Sequence, residues 1–298
     1  MRRRIVVATR RSPLALAQTR AFIAELARRY PERAFEELHV TTTGDTVQDR
    51  ALAEIGGKGL FVKEIEEALL DGRADLAIHS LKDVPPELLP SLVIGCIPQR
   101  EDPRDVAVSQ SGRTLASLPA GSRVGTGSLR RRVQLANWLP QLEIVPIRGN
   151  VDTRLRKCEH GEVDAVVLAR AGLKRLGLAA RVTETLEPEL MLPAVGQGAL
   201  AIEQRQGDQE LMELLAPLAH RETKIAVAAE RGVMRAVAGD CQTPVAAYAV
   251  RAGDELHLRA LLAEPDGRNL RRAERRAPWP AGEQAAAEIG LRLGEELR

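Results

Sequence analysis

The segment Gly125-Thr126-Gly127-Ser128-Leu129-Arg130-Arg131-Arg132 reads as a strand passing through a glycine-bearing turn into a helix. Free backbone N–H groups at a helix start attract anions. Three arginines in the first turn oppose the helix dipole by roughly 0.3–1 kcal/mol each, and a bound carboxylate or phosphate would reverse that penalty. A solvated basic surface is the plainer account of the same residues. Arg10 and Ser12 stand at the matching place in an earlier block, at a strand end before a capped helix. Arg148 follows another strand, with Arg154 in the next helix, and Arg175 lies in a short helix after a further strand. Ligands of open α/β sheets bind beyond the carboxyl ends of strands. Several arginines at such ends point to a ligand with several carboxylates, which the planar guanidinium grips bidentately. The chain holds 37 Arg against 6 Lys. A GC-rich genome or a heat-adapted surface accounts for most of them, so only those at element ends carry a functional reading.

Asp83 lies in His79-Ser80-Leu81-Lys82-Asp83-Val84-Pro85-Pro86, after a strand. Beside Lys82 it is a candidate general acid/base or stabiliser of a developing cation, or simply a turn residue before the prolines. His79 reads as a packing residue or a partner for a backbone group. Of three cysteines, Cys96 falls in an apolar strand and Cys158 in a polar helix. Cys241 falls in a turn, Gly239-Asp240-Cys241-Gln242-Thr243-Pro244. A loop thiol is the best placed of the three for covalent chemistry, with a structural role equally open. The odd, sparse set without a CxxC pair argues against a disulfide framework and fits a reducing compartment. No cluster has zinc spacing, and no His stands out as the partner of a Cys–His hydrolase.

These residues need elements to position them. Arg4–Ala8 reads as a strand, and Ser12-Pro13 as an N-cap with proline at the first helical position. Glu37–Thr42, Asp75–His79 and Leu92–Ile97 read as strands, Leu60–Leu70 as an amphipathic helix, and Gly44–Lys58 as a loop. A second block follows the same pattern, with strands at Arg123–Gly125, Glu143–Ile147 and Asp164–Leu168 and helices at Ser128–Trp138 and Val151–Glu159. Such alternation predicts parallel sheets with helices on both faces. Pro98 and Pro103 bracket a linker, and 187–200 is a Pro- and Gly-rich return. Lys224–Val237 is a strong helix. Strands at Val245–Val250, Glu255–Leu262 and Leu270–Arg275, closed by a helix near Glu283–Leu297, form an antiparallel meander.

A chain of 298 residues accommodates two or three domains. It has no apolar run of ~20 residues, so no membrane span is expected. The basic residues at 2–4 precede an apolar run too short for a signal peptide, which points to the cytoplasm. Net charge is +2 and aromatics are 2%. Both disfavour a single-stranded nucleic-acid binder, which needs rings for base stacking. A non-catalytic anion-binding module of the periplasmic-binding type would explain two α/β blocks with anion sites. It would need neither a loop cysteine nor Asp83.

Seven segments in order resemble the hydroxymethylbilane synthase (porphobilinogen deaminase) family. Besides the His79, Gly125 and Cys241 segments they include Ala8-Thr9-Arg10-Arg11-Ser12-Pro13-Leu14-Ala15-Leu16 and Gly56-Gly57-Lys58-Gly59-Leu60-Phe61. Arg100-Glu101-Asp102-Pro103-Arg104-Asp105 and Leu192-Pro193-Ala194-Val195-Gly196-Gln197-Gly198 complete the match over nearly the whole chain. The resemblance implies two doubly wound α/β domains like the halves of a periplasmic-binding clamp, 1–98 with 199–216 and 104–192. It adds a small α+β domain, 221–298, with a three-stranded antiparallel sheet. It implies a transferase of tetrapyrrole (haem) biosynthesis, a cytoplasmic monomer. The enzyme would condense four porphobilinogens head to tail with loss of ammonia, then release hydroxymethylbilane by hydrolysis. By position, Cys241 would hold a covalent dipyrromethane cofactor and Asp83 would be the catalytic carboxylate. Arg10, Ser12, Gln18, Ser80, Lys82, Thr126, Ser128, Arg130, Arg131, Arg148, Arg154 and Arg175 would bind acetate and propionate groups. Lys58 would belong to a loop over the cleft and Gln197 to the cofactor contacts. No metal, nucleic acid or membrane partner is implied.

The chain departs from the family pattern at three places. Gly127 stands where Ser is common, Asp240 precedes Cys241 where Gly is common, and the sequence stops at Arg298 where relatives often run on.

Overall fold

Arg4–Arg10 (β1) alternates its side chains between two cores, as a strand buried on both faces must. Ile5 and Val7 pack with Phe22 and Leu26 of Pro13–Arg29 (α1). Val6 and Ala8 turn to Ile65, Ala68 and Leu69 of Lys63–Leu70 (α2). The computed structural model describes residues 2–46, 61–238 and 243–298 of the chain. β1 runs parallel to Ala34–Val40 (β2) and to Leu76–Ser80 (β3). Leu200–Arg205 (β10) pairs antiparallel with both β3 and Leu92–Cys96 (β4), giving the order β2-β1-β3-β10-β4. Gln209–Leu215 joins the α1 face through Leu211, Leu214 and Leu215.

A second five-stranded sheet repeats this plan. Arg123–Gly125 (β6) is parallel to Glu143–Val145 (β7) and Ala165–Ala169 (β8). Asp105–Ser109 (β5) runs antiparallel to β8 and to Glu184–Leu186 (β9), and the order is β7-β6-β8-β5-β9. Leu129–Trp138 (α3) covers one face through Leu135. Val151–Glu159 (α4) and Arg170–Arg175 (α5) cover the other through Leu155, Cys158 and Leu173. The expected doubly wound class holds, but the expectation of purely parallel sheets does not. Each sheet carries one reversed strand, β10 in the first and β5 in the second.

The reversal follows from the course of the chain. Two compact units divide it, Met1–Arg100 with Ala199–Thr223, and Glu101–Gly198 with Lys224–Arg298. β5 and β10 are the first strands after the chain crosses from one unit into the other. They come from the linker and the return, not from a right-handed crossover, and such connections alone fix strands as parallel.

The second unit also holds a three-stranded antiparallel sheet made of Val245–Ala252 (β11), Glu255–Leu262 (β12) and Arg271–Pro278 (β13). Arg221–Ala236 and Glu283–Leu297 cover it, burying Ile225, Ala229, Val233, Ala286 and Leu293 against Val245, Ala247, Leu256 and Leu258. These helices touch backbone to backbone: a Cβ on Gly290 would fall 1.9 Å from the Ala229 carbonyl oxygen. Cys96 and Cys158 are free and buried. Among the described residues, no helix is long and apolar enough to cross a membrane.

Candidate active site and carboxylate-binding residues

In the first unit, β1 and β3 are adjacent and parallel with Ala8 opposite Ala77. Arg10 and Ser80 therefore emerge at the same carboxyl edge. Ser12 caps α1, its Oγ accepting from the Ala15 N–H at 3.3 Å. Gln18, buried on α1, donates from Nε2 to Ser80 Oγ at 2.9 Å and accepts from Ser80 Oγ through Oε1 at 3.3 Å. After β3 a single 3-10 turn, Leu81–Asp83, leaves Lys82 and Asp83 exposed. Arg10, Ser12, Gln18, Ser80 and Asp83 share one pocket with Phe61, whose ring lies 4.2 Å from the Arg10 guanidinium carbon. That cation–π contact holds the cation at the pocket. Lys82 is next to the pocket in sequence but does not line it.

His79 also borders this pocket, and it is buried as expected of a packing histidine. Its Nε2 lies 3.0 Å from Glu203 Oε2 on β10. Glu66 of α2, also buried, faces the same pair. Burial first, and then the Glu203 charge, push its carboxyl up to about 7, against an opposing effect of His79.

In the second unit, Ser128 caps α3, its Oγ accepting from the Arg131 N–H at 3.4 Å, and Thr126 Oγ1 accepts from the Ser128 N–H at 3.2 Å. The arginines that follow do not all turn outward. Arg130 and Arg131 are buried against Asp105, which is 0% exposed. Arg130 Nη1 donates to Asp105 Oδ2 at 2.7 Å and to the Leu192 carbonyl at 2.6 Å. Arg131 donates to Asp105 Oδ1 from Nε at 3.0 Å and Nη2 at 2.7 Å, and from Nη1 to the Val167 carbonyl at 3.0 Å. Gln197 Nε2 reaches the same Oδ1 at 2.9 Å and the Pro103 carbonyl at 2.6 Å. Although burial alone would raise its pKa, the two guanidiniums hold the Asp105 carboxyl well below the usual carboxylate range. Part of the counter-charge for the basic helix start is thus the protein's own. The motif containing Asp105 was visible in the sequence, but its role was not; the one signal was a carboxylate heading an apolar strand.

One carboxylate does not balance the cluster. Arg148 and Arg154 are half-buried near Arg131. Arg154 donates from Nε to the Gly149 carbonyl at 2.8 Å. Burial first, and then the charges of Arg131 and Arg148, push its pKa down to about 10. An anion brought here would relieve that repulsion. Arg175 donates from Nη2 to the Gly198 carbonyl at 2.7 Å, with Glu101 as its charged neighbour. Lys58 and Cys241 lie outside the described residues. Gly127 has a structural reason: a Cβ there would stand 2.8 Å from the Ile147 carbonyl oxygen.

The sequence matches two family models in tandem. Residues 5–213 match "Porphobilinogen deaminase, dipyromethane cofactor binding domain" and residues 224–298 match "Porphobilinogen deaminase, C-terminal domain". A porphobilinogen deaminase of Sorangium cellulosum (strain So ce56) is 62% identical over 99% of this chain and 98% of its own. One of Bordetella parapertussis is 53% identical over 96% and 92%, and one of Roseiflexus sp. is 48% identical over 100% and 96%. With both models and full-length relatives in agreement, the chain belongs to the porphobilinogen deaminase family, a family of transferases (hydroxymethylbilane synthases).

Proposed function

We propose that the chain condenses four porphobilinogens head to tail on a dipyrromethane held by Cys241, and then releases hydroxymethylbilane. The observation that carries this reading is the unbalanced guanidinium cluster. Burial first, and then the neighbouring charges of Arg131 and Arg148, push the pKa of Arg154 down to about 10, and Asp105 pairs with only part of the cluster. Each pyrrole unit brings an acetate and a propionate, so the donor set fits a polycarboxylate ligand. Thr126 and Ser128 add hydroxyls at the same turn. In the first unit Arg10, Ser12, Gln18 and Ser80 offer further donors for carboxylates of this kind, with Lys82 beside them. Lys58, Arg175 and Gln197 complete the set.

The residues divide the work by chemistry. When bound, dipyrromethane supplies the pyrrole carbon at which growth begins. Asp83 accepts from a pyrrole N–H of porphobilinogen and offsets the positive charge that develops as ammonia leaves. The arginines hold each ring by its carboxylates, so that reacting carbons meet without a further loss of translational freedom. Arg130 is already committed to Asp105 and the Leu192 carbonyl and supports this set from behind. We take 1–98 with 199–216, 104–192 and 221–298 as three domains, each centred on one sheet, in a cytoplasmic monomer.

The test is the intact mass of wild type beside Cys241→Ala, with porphobilinogen turnover measured on both. An excess on wild type equal to two linked pyrrole units, absent from the variant, is expected. If wild type gains no mass even after porphobilinogen is added, the reading gives way to a non-catalytic anion-binding module.

A further inference from the structure

We infer that Asp105 is a positioning residue: it orients the Arg131 guanidinium so that its remaining N–H groups receive a ligand carboxylate. The inference rests on the reading of Arg131 as a carboxylate-binding residue. Asp105 itself is fully buried and has no surface open to a ligand, so any effect it has on binding passes through its partners.

The geometry separates the two arginines. A guanidinium has five N–H groups in a rigid plane. Arg131 spends three of them inside the protein, two on Asp105 Oδ1 and one on the Val167 carbonyl. Bonds to two fixed groups set both the place and the tilt of that plane, and leave one N–H on each Nη. Arg130, by contrast, meets the other carboxylate oxygen through Nη1 and gives the same nitrogen to the Leu192 carbonyl. One acid facing two guanidiniums leaves one positive charge over, and it lies on the side of Arg148 and Arg154. Asp105 is itself fixed. It heads β5 between β8 and β9, and Gln197 ties its Oδ1 to the Pro103 carbonyl. The orientation of Arg131 thus traces back to the two segments, around 103 and 197, that lead into and out of this unit.

Two simpler roles for Asp105 predict different outcomes. If it only stabilised the fold, its loss would leave the affinity of the folded protein unchanged. If it only tuned local charge, its loss would tighten anion binding, because an opposing negative charge disappears. Positioning alone predicts weaker binding in spite of the added positive charge.

The experiment is a double-mutant cycle on Asp105→Asn and Arg131→Met in the full-length holoenzyme. The probe is a pyrrole with acetate and propionate groups but no aminomethyl leaving group, titrated calorimetrically below the unfolding temperature of each protein. Asp105→Asn should weaken binding by about 10-fold, the scale of one charge-assisted hydrogen bond. In the Arg131→Met background the same change should add less than about 2-fold. Unchanged or tighter binding by Asp105→Asn, full additivity, or no binding by wild type overturns the inference. If Asp105→Asn does not fold, Asp105→Asn with Arg130→Met restores the wild-type net charge. The same 10-fold loss is expected there, and affinity within about 2-fold of wild type overturns the proposal. Wild-type turnover of porphobilinogen is measured alongside. Its absence with an intact cycle would remove the proposed reaction and leave the positioning role standing.

Discussion

Two aspartates in this chain carry the same charge in opposite surroundings. Asp83 is exposed at a pocket wall, while Asp105 is sealed between two guanidiniums. An exposed side chain contributes little to stability, so Asp83→Asn should change unfolding free energy by no more than about 0.5 kcal/mol. Turnover of porphobilinogen should nevertheless fall by roughly 10²–10³-fold, the usual loss when a transition-state electrostatic partner is removed. Paired melting curves and steady-state rates check this; near-normal turnover would remove Asp83 from the mechanism. The difference between the two residues also marks what a sequence discloses. Arg10, Ser12 and Ser80 are legible because strand-end residues in adjacent parallel strands gather at one edge. Asp105 is not, because its partners lie 25 and 26 residues away and neither charge periodicity nor spacing links them. The inward turn of Arg130 and Arg131 was hidden for the same reason.

Element by element, the strand-turn-helix units were read well because each carries local signals, such as the Ser12-Pro13 cap and the Ser128 cap. The strands missed were β5, β9 and β10. All five residues of β5 are buried, and a run buried on both faces has no alternation to reveal it. Nor does any local pattern encode which way a strand runs. The turn before α3 makes a testable case of close approach. Because the clash at Gly127 arises at Cβ, Gly127→Ala and Gly127→Ser should both destabilise, by about 1–3 kcal/mol as overpacked sites do. The two should agree within about 0.5 kcal/mol. Urea unfolding of both variants decides the matter. A neutral or stabilising Gly127→Ser would show that the Ile147 carbonyl moves aside freely, and that a family-like serine fits this backbone.

For the whole molecule, the two units should answer pH in opposite senses. In the first, the Glu66 carboxyl is raised from 4.5 to about 7 by burial and by Glu203, with His79 opposing. Between those values the unfolded chain has released a proton that the folded unit still holds. The Glu66 contribution to stability is therefore fully present below about pH 4.5 and is lost as pH rises through 7, by on the order of 3 kcal/mol. In the second, the Asp105 carboxyl is depressed. Its contribution is present above the unfolded value, about 3.9, and is lost as pH falls below it. Exposed ion pairs in either unit add little. Tryptophan fluorescence reports the second unit, since both tryptophans, Trp138 and Trp279, belong to it. Urea unfolding followed by tryptophan fluorescence should weaken below about pH 4, while the far-ultraviolet dichroism, to which both units contribute, should gain a component that unfolds at lower urea as pH rises from about 4.5 to 8. If the two units unfold separately, the transitions seen by the two probes part at about pH 8. Glu66→Gln should abolish the decline toward that pH and leave the acid limb untouched, since a neutral amide has no proton to release. A variant that declines in parallel with wild type would show that the buried Glu66–His79–Glu203 cluster does not govern the first unit.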